Sequence, residues 1–168
     1  MDFMGACTKR LGPCKDPTAY SMAECYPELT TDQIQEFILD PATYLEAEPI
    51  PNALWGLDQL RKVGYDLVFC TVRPIENKHT AKWLEFYNIE VAELNRFENM
   101  DDKIEHIAQR NPDIAIDDNQ AIVEVLNVNH HVNAMLLAQA WNHESPGIIR
   151  AADWPDAINL ITGSAYEV

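Results

Sequence analysis

Three places in this chain set polar groups directly after, or at the start of, elements that could aim them at a phosphate. Val68-Phe69-Cys70-Thr71-Val72-Arg73-Pro74 carries a hydroxyl and a guanidinium just past an apolar run. Lys103 sits in the first turn of a helical segment, and Ile114-Ala115-Ile116-Asp117-Asp118-Asn119 ends a second apolar run in adjacent carboxylates. In an open parallel sheet, ligands bind beyond the carboxyl ends of the strands. There Thr71, the backbone N–H of Val72, Arg73 and Lys103 could hold a phosphate. Asp117 and Asp118 could hold Mg²⁺, a hard cation that takes one or two carboxylates and keeps several waters. Singly, each residue has a plainer role: Thr71 in a turn, Lys103 in solvent, Asp117-Asp118 capping a helix and favouring its dipole. Their joint order and spacing point to a phosphate-plus-Mg²⁺ pocket.

The elements that must position them follow from periodicity. Phe3, Met4, Cys7 and Leu11 suggest a short amphipathic helix over residues 2 to 11. Residues 12 to 50 are rich in Pro and acidic groups and read as a small helical insert. Thr30 and Gln33 form a capping box before Ile34, Phe37 and Ile38, and Asp40-Pro41 ends that helix. From residue 51 the pattern becomes regular. Asn52 caps a helix bearing Ala53, Leu57 and Leu60, which Gly64 ends. Asp66–Cys70 is a strand. Ala81, Leu84 and Tyr87 line the next helix, and Asn88 closes it. Ile89-Glu90-Val91 begins a weak strand, and Asp101 caps a helix carrying Ile104, Ile107 and Ala108. Asp113–Ile116 is a strand, Ala121, Ile122 and Val125 mark a helix, Ala134–Ala138 is a strand, and Asp153 caps a last helix through Ile161. Strands alternating with helices predict an α/β fold: a Rossmann-like parallel sheet in three layers, with helices on both faces. The expected organisation is one domain over residues 1–168, with a cap insert at about 12–50 and a core at about 51–168.

Bulk properties exclude several classes. With 168 residues, 47% hydrophobic and 23% charged, the chain is a single globular unit. A formal net charge of −15 disfavours nucleic-acid binding. No apolar run reaches the roughly 20 residues that span a bilayer, and residues 1 to 6 lack signal-peptide features. A cytoplasmic protein with reduced thiols is expected, because Cys7, Cys14, Cys25 and Cys70 lack metal-site spacing. His130-His131 reads as a solvated loop, and Trp55, Trp83, Trp141 and Trp154 as core. There is no P-loop, dinucleotide fingerprint or nucleophile elbow. A small phosphorylated substrate such as a nucleotide is the expected partner, and a homo-oligomer is compatible with the pattern.

The stretch from Glu46 to Ile161 resembles the core of haloacid dehalogenase-like (HAD) phosphohydrolases, in particular 5'-nucleotidases of the deoxyribonucleotidase kind. Phe69–Pro74 is similar to that family's second motif, Lys103 to its third-motif lysine, and Ile116-Asp117-Asp118 to its fourth motif. Glu48–Ala53, Gln139–Asn142 and Asp153-Trp154 are also similar to nucleotidase segments. The resemblance implies a HAD-like fold and Mg²⁺-dependent hydrolysis of a nucleoside 5'-monophosphate. It implies phosphate contacts from Thr71 and Lys103, which are then the catalytic residues, and metal contacts from Asp117 with Asp118 in support.

The family's first motif, a strand ending in Asp-x-Asp that supplies nucleophile and acid/base, has no counterpart in the sequence. Asp2-Phe3 is similar to a pair that follows it in relatives, so a fuller form carrying that strand is expected. In the family's strand order the absent strand is central. Its loss predicts a slot about 9.6 Å wide between the strands that end at Cys70 and Ile116. The slot could be closed by direct pairing or filled by another segment. Weak or no turnover is expected from the sequence as it stands, and the alternative function is a non-catalytic nucleotide- or phosphate-binding module derived from such a phosphatase.

Overall fold

The computed structural model describes residues 1–163; the last five residues of the expected core lie outside them. In chain order the elements are α1 (Phe3–Leu11), α2 (Met22–Cys25), α3 (Thr31–Leu39), α4 (Pro41–Leu45), α5 (Ala53–Lys62), β1 (Val68–Thr71), α6 (Asn77–Phe86), β2 (Glu93–Arg96), α7 (Met100–Arg110), β3 (Ala115–Asp117), α8 (Gln120–His130), β4 (Ala134–Leu137), β5 (Ile149–Ala151) and α9 (Trp154–Thr162). The fold is α/β, and every strand pairing is parallel.

The strands do not form one continuous sheet. β1 pairs with β2, and β3, β4 and β5 form a second sheet in the order β3-β4-β5. β1 and β3 do not pair, so direct closure of the expected gap does not occur. Around β4 the layers are complete. Leu136 and Ala134 pack with Ile104 of α7 and with Ile122, Val123 and Leu126 of α8. Met135 and Leu137 pack on the other face with Ala157, Trp154 and Ile161 of α9. Accordingly β4 is buried throughout, as expected for a parallel strand covered on both faces. β1 and β3 are only half-buried along their whole lengths.

Several boundaries differ from the sequence expectation, each for a local reason. Asn52 does not cap α5: it adopts the left-handed conformation (φ 62°) and its side chain makes no capping bond. Asn99, not Asp101, caps α7, its Oδ1 accepting from the Asp102 N–H at 2.8 Å. Ile89 is the exit of α6 rather than a strand start, because its N–H returns to the Leu84 carbonyl at 2.8 Å. The strand falls later, at Glu93–Arg96. Ala81 and Ala121 are exposed; the buried stripes are Thr80, Trp83 and Leu84 on α6, and Ile122, Val123 and Leu126 on α8. Asp40 does end α3, but Pro41 is then the first residue of α4, which Asp40 caps. Of the tryptophans, Trp83 is core while Trp55 is exposed. His130 and His131 lie at the exposed end of α8, with His131 in the left-handed region.

Helices α2 to α4 fall within residues 12–47, and α2 and α3 share with α1 a cluster built on Cys7, Cys25, Tyr26 and Phe37. Arg10 of α1 ties it to the chain's start. Its guanidinium donates to Thr43 Oγ1 at 2.6 Å and to Asp40 at 2.7 Å.

Candidate phosphate-and-metal site

Thr71 ends β1, paired in register with Arg96 of β2, and its carbonyl accepts from the Phe97 N–H at 2.9 Å. The strand thus fixes Thr71 at its carboxyl end, and Val72 and Arg73 leave the sheet there. The Arg73 guanidinium lies over the Tyr44 ring, 5.5 Å from the centroid, a cation–π contact with the helical insert. Burial pulls the Arg73 pKa down, while Tyr44 and Asp118 oppose that.

Lys103 is 8% exposed, unusual for a lysine, and its Nζ lies 2.5 Å from Asp117 Oδ2. It is carried there by α7, whose first turn begins at Met100. Asp117 ends β3, and its second oxygen, Oδ1, accepts from the Asn119 N–H at 2.9 Å. Asn119 caps α8, so α8 starts beside the site. Asp118 is next to Asp117 and turns its own carbonyl toward Asn142 Nδ2 at 2.9 Å. Burial pushes the Asp118 carboxyl pKa up, and the Asp117 charge pushes it further; Lys103 opposes both.

Thr71, Val72, Arg73, Lys103, Asp117 and Asp118 all line one cavity of about 490 Å³. The structure therefore brings together every residue that the spacing singled out. A second cavity of about 310 Å³ opens beside it and shares Val72, Arg73 and Asp118. Its walls are largely aromatic and thioether: Phe3, Tyr20, Tyr44, Trp141, Met4 and Met22.

Three residues that sequence spacing did not assign to the site also shape it. Tyr20 crosses from the helical insert to the core: its hydroxyl accepts from Asn119 Nδ2 at 3.0 Å, and its ring meets Trp141 edge-on at 6.3 Å. Tyr44 supports Arg73. Asn142, 6% exposed, holds the Asp118 loop and accepts from Arg150 Nε at 3.1 Å. Neither tyrosine is adjacent in sequence to a core motif, so no local signal marks them. Asn142 was legible only as part of Gln139–Asn142.

The carboxylate pair fits a hard divalent cation in donor type. Asp118 is half-buried, and no salt bridge compensates it among the described residues. Two carboxylates are also the number Mg²⁺ takes when substrate and water supply the rest. Among the described residues, no group of three or more His, Cys, Asp or Glu side chains is gathered for a metal. None of the helices there is long and apolar enough to cross a membrane.

Fold and site together define an α/β protein with a lysine–carboxylate cluster at the carboxyl ends of parallel strands. No family model matches the chain. It is 29% identical over 127 residues to a Bacillus cereus protein named "Putative nucleotidase", covering 74% of this chain and 66% of that protein. It is 25% identical over 127 residues to an Oceanobacillus iheyensis protein of the same description, covering 74% and 67%. The match thus spans about two thirds of each relative's length. The chain is a distant, nucleotidase-like relative of these proteins.

Proposed function

We propose that the chain is a phosphohydrolase of the HAD type that acts, with Mg²⁺, on a small phosphate ester, a nucleoside 5'-monophosphate first among candidates. The observation that carries the reading is the buried Lys103–Asp117 pair, set in one cavity with Thr71 and Asp118. The names of the two relatives support it. In this reading residues 12–50 form a cap over a core at 51–168, in a cytoplasmic enzyme.

The Thr71 hydroxyl and the Val72 N–H would donate to phosphate oxygens. Lys103 would neutralise the ester's charge, with Arg73 holding the near side. Asp117 and Asp118 would hold Mg²⁺, which when bound screens the phosphate dianion from the carboxylates. Positioning and charge neutralisation are what phosphoryl transfer chiefly demands.

One observation favours a second reading, a nucleotide-binding module without turnover. Covalent transfer needs a carboxylate free to attack in line. At the Thr71–Lys103 end of the cavity the carboxylates are Asp117 and Asp118, and Asp117 is engaged by Lys103 and Asn119. Asp2, near Arg73, is spent as the cap of α1, accepting from the Gly5 N–H at 2.7 Å.

Phosphate release from a panel of nucleoside monophosphates with Mg²⁺, run beside thermal shift, separates the readings. Release that disappears in Lys103→Ala supports the enzyme. A nucleotide-dependent shift without release supports the module. Release unchanged in Lys103→Ala overturns the site assignment, and neither release nor shift overturns both readings.

A further inference from the structure

Residues 14 to 25 form a closed loop that begins and ends in cysteine. The Lys15 N–H donates to the Cys25 carbonyl at 2.9 Å, and the Tyr26 hydroxyl donates to the Gly12 carbonyl at 3.1 Å. Cys14 lies between the two tied positions on one side, and Cys25 adjoins them on the other. Neighbouring hydrogen-bonded backbones stand about 5.5 Å apart at their Cα atoms, which is within the span of a disulfide. The thiols converge as well. Both sulfurs lie against one acceptor, the Asp16 carbonyl oxygen, Cys14 Sγ at 3.0 Å and Cys25 Sγ at 3.6 Å. Burial, and then contact with the Cys14 thiol, pushes the Cys25 pKa up.

The other two cysteines are placed differently. Cys7 is buried on α1, and its thiol donates to Met22 Sδ at 3.6 Å. Cys70 is on β1 and lines the larger cavity. Within the pair, Cys14 is half-exposed and Cys25 fully buried. A small oxidant therefore meets Cys14 first, while Cys25 is kept protonated and inert until its neighbour is engaged.

We propose that Cys14 and Cys25 are a reversible dithiol–disulfide site, oxidised by a low-molecular-weight disulfide of the glutathione class, and that the bond staples the loop carrying Tyr20. The Cys14 thiolate, its proton given to solvent, attacks one sulfur of the small disulfide. A mixed disulfide forms, the small S–S bond breaks and one small thiolate leaves. That thiolate takes the Cys25 proton, and the Cys25 sulfur attacks the Cys14 sulfur. The second small thiolate leaves and takes a proton from solvent. Two protein thiols are oxidised and one small disulfide is reduced to two thiols. The loop bears on the core because the Tyr20 hydroxyl accepts from Asn119 Nδ2 at 3.0 Å, and Asn119 caps α8 directly after Asp117-Asp118. Closing a loop covalently restricts it beyond what weak S–H contacts do. None of this depends on hydrolysis of a phosphate ester.

The test equilibrates the whole chain in glutathione buffers of graded oxidised-to-reduced ratio, blocks remaining thiols by alkylation, and maps peptides by mass spectrometry. The expected product is a Cys14–Cys25 linked peptide that grows with the oxidised share and vanishes with dithiothreitol. Cys25→Ser, checked for native circular dichroism, should stop at Cys14 carrying one glutathionyl group. Cys14→Ser should take up none at Cys25. Hydrogen exchange of residues 15–24 should slow roughly threefold or more in the linked form and recover on reduction. No linkage in fully oxidised glutathione, linkage to Cys7, Cys70 or a second chain instead, or glutathione on Cys25 in Cys14→Ser overturns the proposal. So does unchanged exchange in the linked form. If the serine variants do not fold, the parent's peptide map and exchange decide alone.

Discussion

Lys103 Nζ and Asp117 Oδ2 stand 2.5 Å apart, both side chains about nine-tenths buried, and they join α7 to the carboxyl end of β3. The pair meets a stability requirement, and in the proposed reading the same two side chains meet phosphate and metal. Removing one partner leaves the other charged and without compensation in a poorly solvated place. Lys103→Met is expected to lower stability by about 3 kcal/mol. Lys103→Met with Asp117→Asn should recover much of that loss, because no orphan charge remains. Urea denaturation of the two single variants and the double variant checks this; additive losses would show that the pair is not coupled.

Asp118 gives a pH dependence of defined sign. Burial and the Asp117 charge raise its folded pKa above the ordinary carboxylate value. Its protonated form is thus favoured by folding. That contribution is present at acid pH below the unfolded pKa and is lost as pH rises through the folded one. In EDTA, Asp118→Asn should therefore gain Tm relative to the parent as pH rises from 4 to 7. Added Mg²⁺ should raise the parent's Tm more than the variant's. A constant difference across pH would contradict the burial argument.

Asn142 satisfies all its side-chain groups inside the protein. Its Oδ1 accepts from the Gln139 N–H and Arg150 Nε, and its Nδ2 donates to the Leu137 and Asp118 carbonyls. Asn142→Ala leaves several of these partners unpaired and is expected to cost about 1–3 kcal/mol. Because one bond holds the Asp118 loop, nucleotide- or Mg²⁺-dependent thermal shift should shrink as well. Loss of stability with full ligand response would reduce Asn142 to a purely structural residue.

Gly56 on α5 is a test of packing against propensity. A methyl there would lie 2.5 Å from Trp154 Cε3, an atom of a rigid ring. Helix propensity alone favours Gly→Ala by about 1 kcal/mol. Overpacking costs about 1–3 kcal/mol, so Gly56→Ala should be net destabilising or at best neutral. Thermal unfolding followed by circular dichroism reports the net of the two effects. A clear gain in Tm would show that the ring gives way freely.

Much of the site was legible along the chain. Apolar runs ending in polar residues located Thr71, Arg73, Asp117 and Asp118, because a buried parallel strand must be apolar and must deliver its next residues to the sheet's edge. Lys103 was legible from its place in a helix's first turn, though not its burial or its ion pair. Caps set by short-range bonds were read well at Thr30 and Asp153. They were misread at Asn52, which turns left-handed and makes no side-chain bond, and at Asp101, because Asn99 takes the Asp102 N–H. β5 gave no signal, since three residues, one of them Arg150, carry too little alternation.

By itself the sequence determined most of the helices and strands and which residues are candidates for the chemistry, because periodicity and turn chemistry act over a few residues. Only the tertiary structure decided that Tyr20 and Tyr44 of the helical insert meet Asn119 and Arg73 of the core, contacts between residues 99 and 29 positions apart. It also decided that β1 and β3 stay unpaired. Strand pairing depends on which edges meet in three dimensions, and residues of β1 and β3 line one cavity together with residues of α5, α8 and α9.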